Sequence, residues 1–390
     1  MSEAIRKKKA VSEALPIPLV RPDLPRLEEI KSELEEILST GKVSNFGRFL
    51  QRFETELEKF LGTRVATVSS GTQGLILSLQ ALGLKPNEKV ILPSFSFMAT
   101  AHAVLYAGGI PVFAEISEDM TVSVEDLRRQ IVQDSAIRAI IPVHTYGLPA
   151  DVDGIQSLVS EFRVRHSRDI HVVYDAAHAF GAALGSRKVG QFGNAEVFSL
   201  SSTKTLVAVE GGLVSSRDET LIERIKKMRN YGILDNYNTH FPGMNGKMSE
   251  FHAIVGYQSL KKIDWILTER TKKSGYYRSA IEQETGFRVI PTPANVKHTF
   301  KDFTVFLPGA LKGKRTQVMQ HLKESAIDTR AYFFPPIHEQ EFFKRFHHRP
   351  LPATERLSRN VLTLPFFTTI TEAQMDRVAE CLKDAERRLS

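Results

Sequence analysis

The amino-acid sequence predicts an α/β fold: a large domain around a mostly parallel, seven-stranded sheet, followed by a smaller α+β domain. Three observations lead there. Between about residues 64 and 216, short β-branched runs alternate with helical patterns, as in a parallel sheet flanked by helices. After about residue 265 that alternation loses its regularity. The chain is also 390 residues long, too long for one ordinary hydrophobic core, which favours two domains. The expected division is 1–265, including an N-terminal arm, and 266–390.

The expected strands, in order, are Val65–Val68, Lys89–Leu92, Ile110–Phe113, Ala139–Val143, His171–Tyr174, Val197–Leu200 and Gly212–Ser215. Between them Thr72–Leu82, Ala99–Tyr106, Val124–Gln133 and Val152–Phe162 repeat apolar residues at three and four positions, which makes them the crossover helices. Glu219–Asn230 and Ser249–Leu267 read as further helices, the second long enough to reach another domain. In the C-terminal part, Phe287–Ile290, Thr299–Phe306 and Thr329–Phe333 read as strands, and Lys314–Ser325 and Glu372–Arg388 as helices.

Composition narrows the function classes. Apolar residues make up 42% and charged residues 25%, the balance of a folded globular chain rather than a disordered one. The single cysteine, Cys381, can form no internal disulfide, and no N-terminal apolar run resembles a signal peptide, so a cytoplasmic location is expected. No apolar run is long enough to span a bilayer, so no membrane role is expected. The net charge of +7 favours anionic partners. Nucleic acid is not the expected one, because basic residues are dispersed and the one dense run, Arg6 to Lys9, lies near the N-terminus. A phosphorylated or nucleotide-linked small molecule draws on the same charge.

Three short segments could carry chemistry. Ser69-Ser70-Gly71-Thr72 joins a strand to a helix, where free backbone N–H groups and the helix dipole can hold a phosphate. Asp175 follows an apolar strand and so stands at the carboxyl edge of a parallel sheet, the usual ligand crevice, although an aspartate there can equally cap a helix. His178, three residues on, faces the same side if a helical turn begins there. Lys204 ends the hydroxyl-rich turn after a strand; alone it reads as a surface lysine, but beside a phosphate cradle and a carboxylate it can be a nucleophilic amine. Together these are the requirements of pyridoxal phosphate: a lysine imine, an acid at the pyridine nitrogen and a phosphate cup. An aromatic face for the ring is available from Pro93-Ser-Phe-Ser-Phe97. The adjacent His347 and His348 lack further ligand spacing, so no metal is expected.

The ordered segments Ser69 to Thr72, Pro93 to Phe97, Val143-His-Thr-Tyr-Gly-Leu-Pro-Ala150, Asp175-Ala-Ala-His178, Ser199 to Lys204 and Gly243-Met-Asn-Gly-Lys-Met-Ser-Glu250 resemble the DegT/DnrJ/EryC1/StrS sugar aminotransferases. The likeness covers almost the whole chain. Pro18 to Asn45 and Glu210-Gly-Gly212 are similar to the branch that aminates C4 of dTDP-4-keto-6-deoxyhexoses. The resemblance implies a type I aminotransferase fold, a homodimer with shared active sites, and transfer of an amino group from L-glutamate to a nucleotide-linked keto-sugar. It implies that Lys204 forms the imine and shuttles the proton, Asp175 pairs with the pyridine nitrogen, Phe97 stacks on the ring and His178 meets the ring hydroxyl. Ser70, Gly71, Thr72 and Ser199 match phosphate contacts, and Asn245 matches an asparagine that reaches the phosphate of the neighbouring subunit. Arg330, Tyr332, Phe333 and His338 fall in the segment that lines the sugar pocket.

The chain departs from the family pattern at two places. An aromatic and a histidine common near the lysine are replaced within Ser199-Leu-Ser-Ser-Thr-Lys204, and Lys247 stands where many relatives carry arginine. Two rival functions share the fold: a pyridoxamine-dependent sugar dehydratase and a non-catalytic, cofactor-binding regulatory protein. Relatives of the first kind carry histidine in place of the lysine, so Lys204 argues against it. A dinucleotide-binding dehydrogenase lacks its G-x-G-x-x-G after the first strand.

Overall fold

The computed structural model describes residues 15–346 and 349–390. The basic run Arg6 to Lys9 and the pair His347 and His348 lie outside the described residues. Two helices absent from the sequence expectation come first, α1 (Leu27–Thr40) and α2 (Arg48–Leu61). Each is stopped by a glycine in the left-handed region, Gly41 at φ 68° and Gly62 at φ 72°. The second presents Phe49, Leu50, Phe53, Leu57 and Leu61 to the core as one apolar stripe.

The main sheet has seven strands: β1 (Arg64–Val68), β2 (Lys89–Pro93), β3 (Ile110–Ala114), β4 (Ile137–Ile140), β5 (His171–Asp175), β6 (Ala195–Ser199) and β7 (Gly212–Ser216). Their spatial order is β1-β7-β6-β5-β4-β2-β3. All neighbours pair in parallel except β7, which is antiparallel to both β1 and β6. The crossover helices are α3 (Gly71–Ala81), α4 (Ala99–Tyr106), α5 (Val124–Gln133) and α6 (Val152–His166). Successive strand residues point to opposite faces, so Val65 and Ile91 join one buried cluster while Ala66, Val90 and Leu92 join another. Burial on both faces is why these strands read as continuous apolar runs.

One strand ends early. The apolar run was expected to hold a strand from Ala139 to Val143, but β4 closes at Ile140, because Pro142 has no N–H to give to a ladder. The Pro142 carbonyl is still used, accepting from the Asp175 N–H at 2.8 Å.

The helix expected over Ser249–Leu267 is two helices. After α7 (Glu219–Met228), α8 (Glu250–Lys261) ends where Lys262 takes φ −99°, ψ 0° and donates its N–H to Ser259 at 3.1 Å, and α9 (Ile263–Glu284) follows. Lys262 also reaches back to Glu29 of α1 at 2.7 Å. The connecting role belongs to α9. Its Ile263 and Leu267 sit in the main-sheet core, while Tyr277 and Ile281 sit in a separate C-terminal core.

That C-terminal core is built on an antiparallel sheet of β8 (Arg288–Val289), β9 (Phe303–Phe306) and β10 (Val361–Leu364) with α10 (Arg315–Glu324) and α12 (Glu372–Leu389), while α11 (Pro352–Arg359) buries Leu357 in a smaller cluster with Phe95 and Ile116. The strand expected from Thr299 starts only at Phe303, since Phe300 takes φ 49° and the 299–301 carbonyls turn toward Arg270. The strand expected over Thr329–Phe333 reduces to Arg330, which exchanges two backbone hydrogen bonds with Thr363 at 3.1 and 2.8 Å before the chain turns away. Ile17 bridges Ile327, so the N-terminal segment rests on the C-terminal unit. Among the described residues, no helix is long and apolar enough to cross a membrane.

A buried ion pair ties β1 to the segment that precedes α8. Arg229 Nη1 lies 2.5 Å from Glu54 Oε1 and 2.5 Å from the Thr67 carbonyl, and Glu54 Oε1 accepts from the Thr67 N–H at 2.8 Å. Burial pushes the Glu54 carboxyl up, but the Arg229 charge and the Thr67 hydrogen bonds outweigh it and leave the group below its ordinary value. Glu54→Ala should therefore cost about 3 kcal/mol by stranding a buried cation. A thermal unfolding midpoint unchanged from wild type would refute it.

Candidate active site

The carboxyl ends of β1, β5 and β6 converge on one cavity of about 410 Å³. This is where parallel-sheet topology places a ligand. Of the residues expected at the site, Ser70, Gly71, Thr72, Phe97, Asp175, His178, Ser199, Lys204, Tyr332 and Phe333 all line it.

Its floor is an anion cradle. Ser70 caps α3, its Oγ accepting from the Gln73 N–H at 3.1 Å, so the N–H groups of Gly71 and Thr72 are left without helical acceptors. A Cβ on Gly71 would lie 3.1 Å from that of Ser199, and one on Gly212 would lie 2.6 Å from the Gly71 nitrogen. Gly212 is therefore needed for β7 to close on the turn, and Gly71 leaves little room beside β6. A phosphate fits here by charge and by donor geometry.

Asp175 is the last residue of β5 and is nearly buried. Its Oδ2 accepts from Thr100 Oγ1 at 2.8 Å, Thr100 is in turn 2.9 Å from Ser96 Oγ, and Oδ1 accepts from the Ala177 N–H at 3.1 Å. The residue closes a local turn rather than capping a helix. That turn still delivers His178 to the cavity, where burial, then the charges of Lys204 and Lys301, push its imidazole well below the usual range. His178 is a neutral ring.

Lys204 sits on the turn after β6, its N–H held by the Ser201 carbonyl at 3.0 Å. Burial, followed by the charge of Lys301, lowers its amine from 10.5 to about 8, against the opposing pull of Asp302, Asp175 and Glu210. A partly neutral amine beside an anion cradle and a fixed carboxylate can attack a phosphorylated aldehyde. Pyridoxal phosphate meets a fitting donor set in these residues.

Three expected site residues are elsewhere. Asn245 is exposed on the segment before α8, bridged to Asn230. Arg330 turns away to pair with Asp328 and to donate to the Thr329 carbonyl at 2.9 Å. His338 is buried behind the site, with Nδ1 2.6 Å from Ser94 Oγ, because the Ser94 hydroxyl also accepts its N–H and pins the ring there. Conversely, Lys301 and Glu210 line the cavity and Asp302 stands directly behind it; Glu210 was noted in the sequence only for its branch likeness, and Lys301 and Asp302 were not singled out. A lysine and an aspartate adjacent in an apolar run is the signal that could have found the first and last. Outside the cavity lining, His338, Glu339 and Glu355 bring ligand atoms within 4.8 Å of one another, but Glu339 is already paired with Arg359 at 2.8 Å.

The α/β fold, with a lysine amine, a buried carboxylate and an anion cradle at one edge of its mostly parallel sheet, is that of a pyridoxal-phosphate-dependent aminotransferase of fold type I. The chain matches the model of the DegT/DnrJ/EryC1/StrS aminotransferase family over residues 26–383. It belongs to that family. It is 31% identical to the dTDP-4-amino-4,6-dideoxy-D-glucose transaminase of Escherichia coli, over 94% of this chain and 98% of the relative. It is 31% identical to the UDP-N-acetyl-3-dehydro-alpha-D-glucosamine 3-aminotransferase of Acidithiobacillus ferrooxidans, over 92% of this chain and 94% of the relative. The solved structure of DesI with its TDP-sugar product superposes with a TM-score of 0.88 at 31% identity, covering 96% of this chain and 94% of that one.

The lowered amine is directly measurable. In cofactor-free enzyme, acylation of Lys204 followed by peptide mass spectrometry should show a midpoint near pH 8, with about half of the amine neutral there and surface lysines titrating roughly two units higher. A midpoint shared with the surface lysines would contradict the geometry.

Proposed function

We propose that this enzyme transfers the amino group of L-glutamate to a nucleotide-linked keto-sugar, with C4 of a dTDP-4-keto-6-deoxyhexose as the acceptor. The observation that carries the reading is the placement of Lys204 in one cavity with Asp175 and the Ser70 to Thr72 cradle. Relatives named for nucleotide-sugar products support the substrate class, and the one named for a dTDP-linked 4-amino sugar supports the finer choice. The C4 assignment also rests on the likeness of Pro18 to Asn45 and of Glu210 to Gly212.

When bound, the cofactor supplies an aldehyde that condenses with an amine and a ring that accepts the electrons released when a substrate carbon loses its proton. The protein does the rest. Lys204 would hold the group through its amine and, when free, would move a proton at the substrate carbon as a general acid-base. Asp175, fixed by Thr100, keeps the ring nitrogen protonated. Ser70, Gly71, Thr72 and Ser199 would hold the phosphate, and Phe97 and neutral His178 would hold the ring. Tyr332 and Phe333 wall the sugar side.

The reading includes a division into two domains near residue 265 and a homodimer. Asn245 supports the dimer: it is exposed and away from its own cavity, which suits a residue that completes the phosphate site of a neighbouring subunit.

Holoenzyme should absorb at about 420 nm and bleach on addition of L-glutamate, as lysine-bound cofactor converts to its amine form. A spectrum indifferent to glutamate would turn the reading toward a regulatory protein. Lys204→Ala should lower turnover by about 10³-fold or more and still retain cofactor, and Asp175→Asn should lower it by at least about 10²-fold. A panel of nucleotide-linked 4-keto and 3-keto sugars assayed with glutamate fixes the carbon; preference for a 3-keto sugar would overturn the C4 assignment.

A further inference from the structure

The cavity contains a cation that the cofactor-binding set does not use. Lys301 lines the cavity, and its side chain is only 6% exposed. Its placement is over-determined. The Lys301 N–H donates to the Tyr146 carbonyl at 3.1 Å, and buried Arg270 holds the carbonyls of Thr299, Phe300 and Lys301 at 3.2, 2.6 and 3.0 Å. Between them Phe300 takes φ 49°, a backbone state that bulky residues rarely adopt without outside support.

Lys301 Nζ donates to Asp302 Oδ1 at 2.7 Å. An ammonium has three donors, so two remain for the cavity. The other Asp302 oxygen is buried without a hydrogen-bond partner, 3.6 Å from His178 Nδ1, which lacks one too. Burying a lysine is costly unless its charge is paired, and Asp302 supplies that pair.

The two substrates differ in charge at the reacting carbon. An amino-acid donor carries a carboxylate on the very carbon that holds the nitrogen. A keto-sugar presents neutral ring carbons there, with its phosphates several bonds away. Lys301 lines the same cavity as Lys204 and Asp175, so a carboxylate on the carbon that reacts at Lys204 enters the space this ammonium faces.

We propose that Lys301, aimed by Asp302 and by the turn clamped on Arg270, is the recognition site for the α-carboxylate of the amino donor. The assignment rests on the transaminase reading above. It makes Lys301 a substrate-binding residue for the amino-donor half of the cycle only.

The test separates the two half-reactions in holoenzyme. In Lys301→Gln, the L-glutamate concentration for half-maximal bleaching should rise about 10- to 100-fold, as for a lost charge-assisted hydrogen bond. The single-turnover rate from aminated enzyme to keto-sugar should stay within about threefold, and Lys301→Arg should restore most of the donor affinity. Wild type should prefer glutamate to its α-amide, and Lys301→Gln should lose that preference. The pair Lys301→Gln with Asp302→Asn leaves no stranded carboxylate and should behave like the single variant. Calorimetric binding of 2-oxoglutarate, which has the carboxylate but no amine to give, needs no turnover and should weaken in the same variants. Unchanged 2-oxoglutarate binding and unchanged glutamate saturation would overturn the role of Lys301, as would equal losses in both half-reactions. Wild-type enzyme that binds 2-oxoglutarate through Lys301 yet never bleaches with glutamate would instead overturn the transaminase reading.

Discussion

The structure is organised around the desolvation of one amine. An ordinary lysine is protonated at neutral pH and inert toward a carbonyl, and its removal from water is what brings Lys204 down to about 8. That removal sets terms for everything nearby. The walls must exclude water without leaving polar groups unpaired, and carboxylates close to the amine must not restore its proton. Asp302, Asp175 and Glu210 do pull the amine upward, and Lys301 offsets part of that pull. Near the amine, Asp302 already has an ammonium of its own and Asp175 has Thr100 and the Ala177 N–H.

Such a balance needs rigid supports, and the parallel sheet supplies them. β5 and β6 end side by side, so Asp175 and Ser199 leave the ladder at the same edge. Behind Asp175 a second polar layer fixes the backbone. His144 donates its N–H to the Asp175 carbonyl at 3.0 Å, its ring Nε2 meets buried Glu196 at 2.9 Å, and Glu196 in turn accepts from the Phe192 N–H at 2.8 Å. Gly147, at φ 102°, allows the next contact. A Cβ there would run into Thr299 Oγ1, the atom that donates to the His178 carbonyl at 2.7 Å. The Val143 to Ala150 motif therefore supports the site from behind rather than lining it, apart from Val143 itself.

What the sequence discloses follows from which interactions are local. The main-sheet strands are legible because burial on both faces writes an unbroken apolar run, and the anion cradle is legible because a strand-to-helix turn needs small residues in a fixed order. α2 carries a readable stripe at Phe49, Phe53 and Leu57, whereas α1 fully buries only Ile37 and leaves little pattern. The break at Lys262 has no proline or glycine to mark it; a contact with Glu29, distant in sequence, accompanies it. Arg330 and His338 were expected at the pocket by resemblance, and their real partners, Asp328 and Ser94, are tertiary choices that no spacing reveals.

The 299–302 turn shows why the least legible part can matter most. As a string, Thr299-Phe-Lys-Asp302 continues into β9 and reads as alternating strand residues. Arg270 overrides that reading by collecting three successive carbonyls, a geometry no ladder permits. Because Arg270 belongs to α9, the helix spanning both cores, the orientation of Lys301 depends on how the C-terminal unit sits against the main sheet. Lys301, Tyr332 and Phe333 reach the cavity from that side, and Lys204, Asp175 and the cradle reach it from the other. The groups around Lys204 thus belong to the sheet edge, while Lys301, Tyr332 and Phe333 belong to segments that follow α9 in the chain.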